Sequence, residues 1–180
     1  MMLTLINGLW LGALAAMLVV TAWHDAAAQR IPNWAVLSGS VIALGLSVPP
    51  GGIGFGSAVA GLAAGFAVLL PFYLMRVMGA GDVKLLAAVG AFVGFPGVLS
   101  LVLFTFLAGG VISLAWAIRL RRVRSLFMNL RAELYSGMVS LAGGNLLRAR
   151  DFPVSAIRVP YAFAIAIGTA AYLLLSNRFS

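Results

Sequence analysis

Long apolar runs separated by short polar breaks dominate the chain. Residues 1–24, 31–75, 85–118 and 159–177 contain no Asp, Glu, Lys or Arg. A helix that crosses a bilayer needs roughly 20 mostly apolar residues. The breaks divide these runs. The stretch "HDAAAQRIPN" follows the first span, and Pro-Pro with Gly-Gly in "PPGGIGFG" ends the second. "MGAGD" follows the third, and "FPG" at 95–97 separates the fourth from the fifth. The pattern predicts an all-α, polytopic membrane protein with about six spans, over 3–23, 34–48, 57–75, 83–95, 98–118 and 159–176. The whole of 1–180 reads as one membrane-embedded domain. The fourth span is short and is expected to lie among its neighbours, where Gly90 and Gly94 permit close helix contact.

Charge fixes an expected orientation. Of 12 basic residues, eight are arginines between 119 and 158. With six spans and the N-terminus outside, these eight, Arg30, Arg76 and Lys84 all fall on the cytoplasmic side, leaving only Arg178 outside. If 83–95 did not cross, the Arg76/Lys84 loop and the 119–158 segment would lie on opposite faces. The net charge of +8 is thus explained by topology and calls for no nucleic-acid partner. The basic segment between the fifth and sixth spans mixes apolar residues with Arg131 and Glu133, as in an amphipathic helix held on the cytoplasmic surface by anionic lipid. Cysteine is absent, which removes disulfides, thiol nucleophiles and Cys-based zinc sites.

The chain has only four acids, Asp25, Asp82, Glu133 and Asp151. The last two lie in the arginine-rich segment, where structural pairing is the default. Asp25 and Asp82 stand where a span meets a short loop, and in the six-span arrangement both junctions are cytoplasmic. Ionisable groups near hydrocarbon are rare and usually functional. Two adjacent carboxylates cannot both ionise easily, so the pair offers a general base and a general acid together. One can activate water against a peptide carbonyl while the other protonates its oxygen. Gly79 and Gly81 leave room beside Asp82 and allow unusual backbone angles there. Lys84, two residues further along a helix, does not face Asp82, which leaves lipid headgroups or substrate as its expected contacts. A single histidine, His24, and two carboxylates make a sparse metal site, so neither metal nor cofactor is expected.

"GAGDVKLLAAVGAFVG" at 79–94 resembles the G-x-G-D-x-K-L block of the type IV prepilin peptidases. "DAAAQRIPNWAV" resembles that family's first-aspartate block, with Asp25 six residues ahead of Ile31-Pro32-Asn33. "VPYAFAIAIG" at 159–168 is similar to its closing segment. The resemblance implies a bacterial inner-membrane aspartic endopeptidase that removes the basic leader of prepilins and pseudopilins on the cytoplasmic side, after a glycine. It implies catalytic roles for Asp25 and Asp82, with Gly79, Gly81, Lys84, Ile31, Pro32 and Asn33 as active-site support. Larger members carry an N-terminal cytoplasmic insertion, often with paired cysteines, that is linked to N-methylation. Here the first loop is short and cysteine is absent, as in the compact branch serving Flp-type pili, which argues against methyltransferase activity. Two other readings use the same aspartates: a proton- or cation-coupled transporter, and a non-catalytic scaffold for pilus assembly.

Overall fold

The computed structural model describes residues 2–74, 78–119 and 161–176. Among these are six helices and no strand: α1 (Met2–Ala28), α2 (Asn33–Ser47), α3 (Phe55–Leu74), α4 (Ala80–Val93), α5 (Gly97–Arg119) and α6 (Tyr161–Leu175). Three contain stretches long and apolar enough to cross a membrane, Asn7–Ala28, Phe55–Leu74 and Gly97–Ala115. Helices α2 and α6 are shorter and apolar. Residues through Gly109, together with α6, belong to one compact unit, and Gly110 begins a second. The expected amphipathic segment lies outside the described residues beyond Arg119.

Helix α1 runs further than the hydropathy pattern predicts, through His24, Asp25 and three alanines. Alanine has the highest helix propensity, so "DAAA" prolongs the span instead of opening a turn. The helix closes at Gln29, whose φ of 50° is left-handed and whose N–H bonds the Asp25 carbonyl at 2.9 Å. Pro32, extended at φ −69° and ψ 124°, then sets the entry to α2. Its carbonyl accepts from the amides of Ala35 and Val36.

Helix α4 is the centre of the packing. Val83 and every residue from Leu85 to Val93 are buried. It packs most closely on α3 and also touches α1, α2 and α6. Its 14 residues rise only about 21 Å at 1.5 Å each, short of the roughly 30 Å of hydrocarbon in a bilayer. A helix enclosed by its neighbours need not match that thickness. Many apolar side chains of the surrounding helices point outward instead, among them Leu37, Leu103, Val111 and Leu174. Such a surface suits lipid.

Small residues let α3 and α4 meet at backbone distance. Gly61 faces the Gly90 carbonyl, and a Cβ on Gly65 would stand 2.8 Å from the Leu86 carbonyl oxygen. Gly94, at φ 76°, ends α4 with its N–H on the Gly90 carbonyl at 2.8 Å. Ser57 and Phe95 exchange bonds of 3.1 Å that tie the α4–α5 turn to the start of α3. Gly168 of α6 lies against the α5 backbone, where an added Cβ would come within 2.6 Å of Thr105 Cα.

Because backbone cannot yield as a side chain can, Gly90→Leu is expected to cost at least about 1–3 kcal/mol, read as a lower melting temperature in detergent. Gly12→Ala, with nothing within 4 Å of the new methyl group, is expected to leave that temperature unchanged or slightly raised, since alanine favours a helix over glycine. Equal effects of the two substitutions would contradict this packing.

Candidate functional site

Helices α1 and α4 run antiparallel, which brings the end of one beside the start of the other. Trp10 donates its Nε1–H to the Phe92 carbonyl at 3.1 Å, and its ring stands edge-on to the Phe92 ring, with centroids 5.9 Å apart. That contact marks one end of the pair. Asp25, in the last turn of α1, and Asp82, in the first turn of α4, mark the other.

Asp25 is buried, only 8% exposed. Its Oδ2 accepts the Ala162 N–H at 3.1 Å. Ala162 is the second residue of α6, and amides in a helix's first turn have no partner within the helix. They also carry the positive end of the helix dipole. Asp25 therefore caps α6 from a different helix, and the cap offsets the cost of burying a carboxylate. Asp82 is half-buried and caps its own helix: its Oδ2 accepts the Gly79 N–H at 3.2 Å, and its N–H bonds the Gly79 carbonyl at 3.2 Å. Among the described residues neither Asp25 nor Asp82 accepts a hydrogen bond on Oδ1.

The two carboxyls lie within each other's electrostatic reach. Asp82 stands ahead of the apolar run of α4. Burial and, after it, the charge of Asp25 push its carboxyl up to about 6, against the pull of the Gly79 amide. Tyr161, the first residue of α6, also lies in the field of Asp82. Three helix ends, from α1, α4 and α6, thus converge on one acidic pair.

The glycines serve the site through space. Gly79 has φ −74° and ψ 150°, an extended conformation open to any residue, so the expected unusual backbone is not its reason. A Cβ on Gly79 would lie 3.2 Å from Asp82 Oδ2, and one on Gly81 would lie 3.0 Å from the Ile31 Cβ. Both approaches are tighter than ordinary packing. Ile31 therefore sits directly on the Gly81 backbone, while Pro32 starts α2 and Asn33 opens it. Lys84 is exposed and, instead of only lipid or substrate, has a partner within the chain: its Nζ donates to Asn33 Oδ1 at 3.2 Å. The two sequence blocks around the aspartates are thereby in contact.

His24 is exposed, with Nδ1 2.9 Å from the Val20 carbonyl, which requires the Nδ1–H form. Its ring stands edge-on to Trp34, with centroids 6.4 Å apart. Trp23 and Trp34 are 74% and 63% exposed near the same helix ends, as aromatic residues are at a membrane–water interface. Among the described residues no group of three or more His, Cys, Asp or Glu could hold a metal ion. The site residue that sequence reasoning missed is Ala162, whose contribution is a backbone amide. It lies in the 159–168 stretch that is similar to the family's closing segment, and the Pro160-Tyr161 step marks a helix start there, since proline commonly precedes or opens a helix.

The family model of the type IV leader peptidases matches residues 12–114, more than half of the chain and a stretch that includes both aspartates. No curated protein and no solved structure matches the chain.

The raised Asp82 carboxyl has a consequence for stability. Its ordinary value is 3.8, against about 6 in the folded chain. Protonation therefore favours the fold, and that contribution, complete below the ordinary value, is lost as pH rises through about 6. Asp82→Asn removes the charge but keeps an acceptor for Gly79. Its melting temperature is expected to exceed that of the wild type at about pH 8, with the difference closing towards about pH 4. A difference independent of pH would contradict the assignment.

Proposed function

This chain belongs to the type IV leader peptidase family, and from that premise we propose that it is an aspartic endopeptidase acting on prepilins. In this reading Asp25 and Asp82 are the catalytic pair, and Gly79, Gly81, Ile31, Pro32, Asn33 and Lys84 support them. The observation that carries the reading is the convergence of two carboxyls from distant parts of the chain, each with Oδ2 on a backbone amide. Among the described residues no donor meets either Oδ1 atom, and in this reading those oxygens face water and substrate.

The chemistry follows from that geometry. The ionised aspartate takes a proton from water as the water oxygen bonds to the scissile carbonyl carbon. The protonated aspartate gives its proton to the carbonyl oxygen, forming a tetrahedral diol. The carboxyl that gained a proton then delivers it to the amide nitrogen as the C–N bond breaks. The other carboxyl recovers a proton from the collapsing diol, which restores the pair. No metal, cofactor or covalent intermediate is required.

The substrate is a prepilin or pseudopilin with a basic leader ahead of an apolar helix. Its helix can lie in the lipid beside the outward-facing apolar surface, leaving the scissile bond at the depth of the acidic pair. We place six spans in the bacterial inner membrane, with the N-terminus outside and the aspartates on the cytoplasmic side. The basic 119–158 segment then lies on anionic lipid, and the compact first loop fits a peptidase of the Flp-pilus type without methyltransferase activity. In the six-span arrangement both carboxyls lie at one face and not near the bilayer midplane, where transporters bind their substrates, which favours hydrolysis over coupled ion transport.

The test uses purified enzyme and a synthetic prepilin-type peptide, with a basic leader ending in glycine followed by an apolar segment. Asp25→Asn and Asp82→Asn should each lower the cleavage rate by at least about 100-fold. Protein amount should persist, because an Asn side-chain oxygen still accepts from Ala162 or Gly79. Activity within about tenfold of wild type in either variant would sink the two-carboxyl mechanism.

A further inference from the structure

We infer that the turn between α1 and α2 is buckled onto the first turn of α4, making Asn33 and Lys84 positioning residues for the acidic pair. This deepens the peptidase reading and rests on it. Asp25 is joined to Asn33 by a short strap that leaves α1 through the left-handed Gln29. The strap meets α4 at two points that bracket Asp82. Ile31 presses on the Gly81 backbone, and the Asn33 carbonyl oxygen accepts from the Lys84 ammonium at 3.2 Å. One block carries Asp25 and the other carries Asp82, so the two contacts set how the aspartates stand to each other.

The pairing also explains why a lysine can sit beside an aspartate without bridging to it. Two positions apart on a helix, their side chains diverge. The ammonium is engaged by Asn33, and the Asp82 carboxyl by Gly79. Both members of the buckle are exposed. An exposed bond adds little to global stability, whereas a reacting group displaced by about 1 Å can cost about 100-fold in rate. Loss of the bond should therefore appear in kcat and not in the melting temperature.

The experiment measures kcat, KM and melting temperature on the prepilin-type peptide for Lys84→Met, Asn33→Leu and the double variant. Each single change should lower kcat by about 10- to 100-fold with KM within about twofold. The double variant should be no worse than the weaker single, because the two side chains form one bond. Asn33→Asp, which offers Lys84 a carboxylate at the same reach, should keep kcat within about threefold of wild type. Losses that multiply in the double variant would overturn the buckle. So would a raised KM at unchanged kcat, which is the signature of a substrate contact.

If Lys84→Met does not accumulate, Lys84→Arg keeps the question open to refutation. Its guanidinium still reaches Asn33, so kcat should stay near wild type and fall when Asn33→Leu is added. Indifference to that addition overturns the proposal. Asp82→Asn, assayed in parallel, separates the two levels. An active Asp82→Asn overturns the aspartic reading. An inactive one beside a Lys84→Met variant of wild-type kcat overturns the buckle alone.

Discussion

A carboxylate beside hydrocarbon has to be held, and in this protein the holding group is a backbone amide at the start of a helix. Asp25 rests on the Ala162 amide of α6, and Asp82 rests on the Gly79 amide at the start of α4. Unpartnered amides in a first helical turn are strong donors that point along the axis and carry partial positive charge. They therefore fix one oxygen of each side chain, and among the described residues none donates to the other. The same bonds build the fold and aim the acids, and Asp25 in particular ties α1 to α6 across 137 residues of sequence.

Helix α4 supplies the frame on which this happens. It is short, enclosed on its sides, and pressed to α3 through glycines that admit backbone against backbone. A helix so enclosed is a rigid mount for its first turn, where Asp82 sits. Antiparallel packing on α1, secured by Trp10 and Phe92 at the far end, brings Asp25 to that turn. The glycines on either side of the aspartate complete the arrangement by keeping space clear: one for the carboxyl that folds back on Gly79, the other for Ile31.

Much of this could be read from residues. Apolar runs broken by Pro and Gly located the helices, because those residues punctuate structure by sterics that act locally. The ends were harder. "DAAA" reads as a polar junction by charge but stays helical by propensity, so Asp25 belongs to α1 and not to a loop. Gly79 and Gly81 suggested both room and backbone freedom, and the structure uses the room, the absence of a Cβ. The partners of the charged groups were not legible at all. Lys84 meets Asn33 and Asp25 meets Ala162 through helix packing, and the Ala162 contribution is an amide that every residue but proline carries. No local pattern encodes such pairings.

The account depends on Asp25 and Asp82 sharing one space between the starts of α4 and α6. The natural chain has no cysteine, so Asp25→Cys with Asp82→Cys gives a clean pair of thiols for cross-linking by a short thiol-specific reagent in native membranes. The account predicts rapid intramolecular cross-linking, seen by mass spectrometry as one peptide linked across the two positions. Thiols that never link, and that are labelled by an impermeant reagent from opposite sides of the membrane, would contradict it.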